Sequence, residues 1–236
     1  MKIFNITDPR LLAVAEAVRR GAVAADIGAD HGHLICHLVG EGICPLGYAC
    51  DAAPKPLSRA GERVKLLGLQ DKIETRLTDG LRGLPLGHIT DIIIAGMGGE
   101  LIARIIGDCP GSYNPELRFI LQPMTKAERL RTALCRMGFF ILKERGVAAG
   151  GFLYPVMTVA YDGVRREPDE LYAWTGLLPQ SGHPDSAALL AKTRDRLRLA
   201  AGGLAKSGRA GLGNNEKAGR YAALAMEIDT LNLLHN

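Results

Sequence analysis

The chain has 236 residues, a length that fits one large domain, or one with a small appendage, and excludes a long multidomain assembly. Hydrophobic residues make up 47% and charged residues 23%, the balance of a chain that buries a sizeable core rather than staying disordered. The 29 Lys and Arg against 25 Asp and Glu leave a formal charge of +4, too mild a surplus to name a nucleic-acid partner.

Apolar stretches such as residues 92–99 fall short of the roughly 18 residues of a membrane helix, and the N-terminus lacks a signal layout, so a cytoplasmic location without a membrane is expected. Cys36, Cys44, Cys50, Cys109 and Cys135 are odd in number and form no C-x-x-C pair, which favours buried thiols over disulfides or zinc.

From residue 10 to about 145, buried-strand runs alternate with helical patterns, which predicts an α/β fold with a parallel sheet covered on both faces. A first helix starts with Thr7 or Asp8 as cap and Pro9 in its first turn, turns Leu11, Val14, Ala15 and Val18 inward, and stops at Gly21. Strands are expected over 22–27, 46–50, 73–77, 91–95 and 118–121, with helices over 56–67, 100–106 and 126–137. Two further β-rich runs, 139–143 and 154–161, are joined through 146–151 without room for a crossover helix, so an antiparallel pair closes one edge. Residues 163–184 read as a linker or cap. Two helical runs then flank a Gly-rich break at 207–215, with seams of Leu190, Thr193, Leu197, Ala200 and Leu204 facing Tyr221, Leu224, Ile228 and Leu231. The division is 1–162 for the α/β part and 163–236 for a helical hairpin.

The first strand runs into Asp26-Ile27-Gly28-Ala29-Asp30-His31-Gly32, where an α/β fold forms its ligand crevice. Gly28 permits a sharp turn and close approach of a ligand, and Gly32 lets the next helix pack close to the strand. A dinucleotide site wants glycine at the first position, where this chain has Asp26. A carboxylate repels a pyrophosphate but attracts the sulfonium and ammonium of S-adenosyl-L-methionine. Asp51 ends the second strand, where a carboxylate accepts from ribose hydroxyls, and Asp79, before Gly80, ends the third, in reach of an adenine amine. Each alone also suits an ordinary cap or turn; three at successive strand ends point to a cofactor.

Gly96-Met97-Gly98-Gly99 follows the fourth strand, either as a tight turn needing positive φ or as backbone exposed around a transferable methyl group. An Asn/Asp-Pro-Pro-aromatic turn, usual in enzymes that methylate exocyclic amines, is absent. A ring nitrogen such as adenine N1 offers its lone pair directly, so no general base is named and the catalytic residues stay unassigned. Gln122 and Pro123, at the end of the fifth strand, are candidates to contact a substrate base, or Pro123 simply ends the strand. His31, His33 and His37 lack the acid or cysteine that would complete a metal site, and no G-x-S-x-G turn marks a hydrolase.

Together these residues resemble one family, the bacterial tRNA (adenine-22-N1)-methyltransferases. The likeness runs through Arg10-Leu11 with Val14-Ala15-Glu16, the loop from Gly21 through Asp30-His31, Asp79-Gly80-Leu81, Ile94 to Gly99 with Leu101-Ile102, and Leu121-Gln122-Pro123. It covers roughly the first 160 residues. It implies a Rossmann-like domain binding S-adenosyl-L-methionine through Arg10, Leu11, Asp26, Gly28, Asp30, His31, Gly32, Asp51, Asp79, Gly80, Gly96 and Met97, and a helical tail that helps hold tRNA. The chain departs from the family at Met124, where Asn is usual, and at 150–155, where Phe152 and Pro155 replace Lys and Glu. Those departures keep open a methyltransferase for another RNA position, a protein or a small molecule, and a binding protein without turnover.

Residues 192–220 carry a local surplus of +6 and residues 126–145 one of +4. Clustered cations mark either a phosphate backbone or a solvated helix face. Arg194 and Arg198 are the candidate RNA contacts. Aromatics are only 5% of the chain, which favours shape and phosphate recognition over broad stacking platforms. The expected activity is methyl transfer to N1 of an adenine in tRNA, position 22 by resemblance; sequence leaves the oligomeric state open.

Overall fold

The computed structural model describes residues 5–206 and 212–234. The first helix, α1 (Pro9–Ala17), is capped by Asp8, whose carboxylate accepts the Arg10 backbone N–H at 2.8 Å. It ends earlier than the expected Gly21, and the cause is tertiary. The Arg19 backbone N–H and Nε both donate to the buried Asp91 carboxylate, at 2.9 and 2.7 Å, which draws the chain out of the helix.

Seven strands form one sheet: β1 (Val23–Ile27), β2 (Leu46–Asp51), β3 (Ile73–Leu77), β4 (Asp91–Gly98), β5 (Arg118–Thr125), β6 (Phe139–Ala149) and β7 (Phe152–Tyr161). Their order is β3-β2-β1-β4-β5-β7-β6. The first five pair in parallel, and β7 inserts antiparallel between β5 and β6, as expected of the edge. The order reverses direction at β1, which places a crevice at the carboxyl ends of β1 and β4.

Alternating strand residues feed two cores. On one face Ala24, Ala49, Ile93 and Ile120 pack against α1, α2 (His33–Gly40) and α3 (Pro54–Leu67). On the other Ile92, Ile94, Phe119 and Leu121 meet α4 (Gly99–Gly107) and α5 (Ala127–Met137). The five cysteines are free, four of them buried, and burial pushes the Cys36 thiol up to about 11 and those of Cys44 and Cys50 to about 12.

Four strands, β4 to β7, run two or more residues longer than the sequence suggests. The Gly96-Met97-Gly98 segment is part of β4, with Met97 opposite Pro123 and Gly98 opposite Thr125, and the register slips on either side of Met97. Pro123 has no N–H to give, yet β5 continues through it because the ladder is already irregular there. The β6–β7 turn consists of Gly150 and Gly151 alone, at φ +57° and +78°, the pair of positive values that a two-residue hairpin needs. Residues 146–149, expected in the connection, belong to β6.

Residues 163–184 are more ordered than a linker: they contain α6 (Glu170–Thr175) and a 3-10 turn (Leu178–Gln180). A buried ion pair fixes them to the sheet. Arg131 of α5 donates to Glu144 of β6 at 2.6 Å and to the carbonyls of Ala173 and Trp174 at 2.8 and 3.1 Å, and Glu144 accepts the Leu177 N–H at 2.9 Å. α7 (Pro184–Lys206) and α8 (Leu212–Leu234) form the expected hairpin, with Leu190, Leu197, Leu224, Ala225 and Ile228 buried between them. Of the expected break, 207–211 lies outside the described residues and 212–215 is helical. Among the described residues no helix is long and apolar enough to cross a membrane.

Removing one half of a buried ion pair leaves the other charge uncompensated. Arg131→Met is expected to cost about 3–5 kcal/mol in chemical denaturation. A loss below about 1 kcal/mol would show that the pair does not anchor the tail.

Candidate active site

The loop after β1 is strapped to β2: the Gly28 and Ala29 N–H groups both donate to the Cys50 carbonyl, at 2.8 and 2.9 Å. Gly28 has φ +76°, and a Cβ there would stand 2.3 Å from the Met97 terminal methyl. The side chain of the β4 rim therefore lies directly on the loop. Gly32, at φ +68°, precedes α2, and its added Cβ would come 3.1 Å from that of Ala60. Its smallness thus serves a contact with α3, where the sequence suggested close packing of helix on strand.

Asp26 is buried inside β1, Asp51 is the last residue of β2, and Asp79 is exposed two residues past β3. Among the described residues no basic side chain pairs with Asp26. Burial, reinforced by the nearby Asp51, pushes its carboxyl up to about 7. Asp51 is held open by backbone: its oxygens accept the N–H groups of Asp30 (3.2 Å) and Ala53 (2.9 Å). Asp30 adopts φ +48°, unusual for a side-chain-bearing residue and typical of a constrained functional loop. Gly80, at φ +63°, abuts Ile105 of α4.

Arg10 closes the crevice from α1. One guanidinium nitrogen donates to Gln122 Oε1 at 2.8 Å and the other to Asp8 at 3.1 Å; the same Gln122 oxygen accepts the Gly96 N–H at 3.0 Å. Gln122 is fully buried, so it braces Arg10 and the glycine rim, while Pro123 is buried beside it. Leu11 is half-buried against the first core. No local sequence pattern encodes this three-way bridge, because its members lie 112 and 26 residues apart.

Two further side chains of the site had no local signal. Arg59 reaches His31 Nε2 at 3.3 Å, and Arg63 donates to the His31 carbonyl at 3.0 Å and lies 3.2 Å from His33 Nε2. Burial, then Arg63, lowers the affinity of His33 for a proton. Arg194 and Arg198 lie on the hairpin, paired with Asp229 of α8. A cavity of about 830 Å³ lies elsewhere, bounded by α1, β5–β7 and residues 177–183, and contains none of the loop residues.

Residues 7–157 match the family described as "Methyltransferase domain". The tRNA (adenine(22)-N(1))-methyltransferase of Bacillus subtilis (strain 168) is 35% identical over 162 residues, 66% of this chain and 68% of that protein. The chain belongs to the bacterial tRNA (adenine-22-N1)-methyltransferase family. Among solved structures, Streptococcus pneumoniae Sp1610 in complex with S-adenosyl-L-methionine has 27% identity and a TM-score of 0.80, covering 96% of this chain and all of that one. The B. subtilis M1A22 tRNA methyltransferase superposes with a TM-score of 0.85 at 24% identity, over 98% of this chain and 100% of that chain, a likeness of fold.

Met124, one of the departures noted in the sequence, is 40% exposed, its sulfur 3.7 Å from Gln122 Nε2. The folded chain keeps Asp26 protonated to about pH 7, whereas the unfolded chain ionises from the ordinary value of 3.8. Stability from this group therefore falls as pH rises between those values and is level above about 7. Asp26→Asn is expected to remove that slope and to raise stability at pH 8 by roughly 2–4 kcal/mol. Parallel stability–pH profiles for the two proteins would contradict it.

Proposed function

We propose that this chain transfers the methyl group of S-adenosyl-L-methionine to N1 of an adenine in tRNA, position 22 by family, and that it acts in the cytoplasm. The observation that carries the reading is the acid-lined crevice at the carboxyl ends of β1–β3, in a chain of this family. The residues present fit the cofactor: a buried carboxyl without a basic partner among the described residues at Asp26, next to a loop that turns at Gly28 through a positive φ with the Met97 methyl packed on it.

Asp26 would take the ammonium group, Asp51 the ribose hydroxyls and Asp79 the adenine amine, with Gly28, Asp30, His31, Gly32 and Gly80 shaping the surrounding loops. Arg10, held by Gln122, supplies a cation toward the amino-acid carboxylate. Leu11, Gly96 and Met97 complete the wall. When bound, the cofactor supplies an electrophilic methyl group on a sulfonium. Adenine N1 would use its own lone pair to form the new N–C bond as the methyl–sulfur bond breaks and the neutral thioether departs, the positive charge passing to the base, so the protein needs to align and dehydrate the reactants, not remove a proton. N1 lies on the Watson–Crick edge, and exposing it costs a few kcal/mol of unpairing, which residues 163–236 would offset by holding the RNA. Pro123, buried beside Gln122, sets the rim against which the base is presented.

Nucleosides from tRNA incubated with the protein and methyl-labelled cofactor are expected to carry label on 1-methyladenosine by mass spectrometry. Label on another nucleoside would redirect the substrate, and cofactor binding without any label would leave a binding protein. A cation beside Asp26 favours its ionised form, so cofactor binding releases a proton below about pH 7. Affinity measured by calorimetry is expected to rise up to tenfold per pH unit below 7 and to level off above it. Asp26→Asn should bind more weakly and without this dependence; an unchanged pH profile in the variant would remove Asp26 from cofactor binding.

A further inference from the structure

The β6–β7 hairpin overhangs the carboxyl edge of the parallel strands. β5 pairs with β7 only as far as Leu121 opposite Met157, while β6 and β7 stay paired to Ala149 opposite Phe152. Five further residues of β7 carry the tip about 16 Å past the last β5–β7 pair, on the edge where Gly28 and Gly96 lie. Phe152, the first residue after the two-glycine turn, is 58% exposed, and neither the turn nor the core requires an aromatic ring there. Its ring stands 6.3 Å from that of Tyr154, tilted by 38°.

Lys192 of α7 places its ammonium 5.3 Å from the centre of the Phe152 ring. Charge on this stretch of α7 is otherwise spoken for. Arg194 and Arg198 are neutralised by Asp195 and Asp229, and Arg196 stacks on Trp174 at 4.9 Å with Glu128 at 3.6 Å. Lys192 has no carboxylate partner among the described residues and is exposed. A cleft of about 80 Å³, lined by Pro123, Met124, Leu153, Pro155, Trp174 and Arg196, lies between the end of β5, the hairpin and the tail.

We propose that Phe152 and Lys192 form a binding site for one unpaired nucleotide of the RNA substrate, its base stacked on the ring and its phosphate at the ammonium. The inference rests on the reading of RNA as substrate. An exposed ring with an adjoining cation that has no carboxylate partner among the described residues matches a single-stranded nucleotide, which offers a π face and a negative charge a few ångströms apart. Arg194 and Arg198 already face Asp195 and Asp229, whereas Lys192 has no acidic partner among the described residues and is the cation of this stretch with its charge left for a phosphate.

Unfractionated tRNA is titrated against the full chain and against Phe152→Leu, Phe152→Trp and Lys192→Gln over a range of salt, with KM and kcat for methyl transfer and cofactor affinity measured alongside. Phe152→Leu is expected to weaken tRNA binding about tenfold and raise KM by a similar factor, with kcat, cofactor affinity and melting temperature unchanged. Phe152→Trp should retain binding. Lys192→Gln should reduce the slope of log affinity against log salt by about one. Equal affinity, KM and salt slope in all four proteins overturns the site while leaving the substrate reading intact. Failure of the unaltered protein to bind or methylate tRNA overturns both.

Discussion

A carboxyl group buried at the end of β1 is the constraint around which the crevice is organised. Asp26 is removed from water beside a second acid, so its ionised form is unfavourable until a cation arrives. The surroundings keep that arrangement in place. Asp51 is pinned by two backbone N–H groups, the loop between them is strapped to Cys50, and the chain turns at Asp30 and Gly28 through positive φ. A pyrophosphate would meet repulsion in such a place, whereas a cationic donor would relieve the cost of the buried acid.

The opposite wall depends on one amide. Gln122 is buried and its carbonyl oxygen receives both Arg10 and the Gly96 N–H, which ties the N-terminal helix, β4 and β5 into one rim. The tie explains why the glycine segment is strand instead of a free turn: Gly96 keeps its positive φ while its N–H is held from β5 and Arg10 lies 3.4 Å from where a Cβ would be. A residue expected to meet substrate is thus a brace for those that line the site.

Charge in the tail shows how far composition can mislead. The surplus over residues 192–220 suggested a cationic face, and Arg194 and Arg198 stood out by number. In the folded hairpin Asp229, 31 or more residues away, engages both. The seam residues Leu190, Leu197, Leu224 and Ile228 were legible because a helix repeats every three to four positions; which described cations lack an acidic partner was not, because that depends on which acids face α7.

Local sequence determined the alternation of strands and helices, the Asp8 cap, the acidic glycine loop and the antiparallel closing pair, since each is encoded in neighbouring residues by periodicity, capping or turn chemistry. The strand ends beyond Ala95 and Leu121, the early end of α1 and the bracing by Gln122, Arg59 and Arg63 were decided only when distant segments met. The reason is physical: hydrogen bonds and ion pairs between residues far apart in the chain form only in the assembled fold, and it is burial there, with Asp51 brought close, that gives Asp26 its altered affinity for a proton.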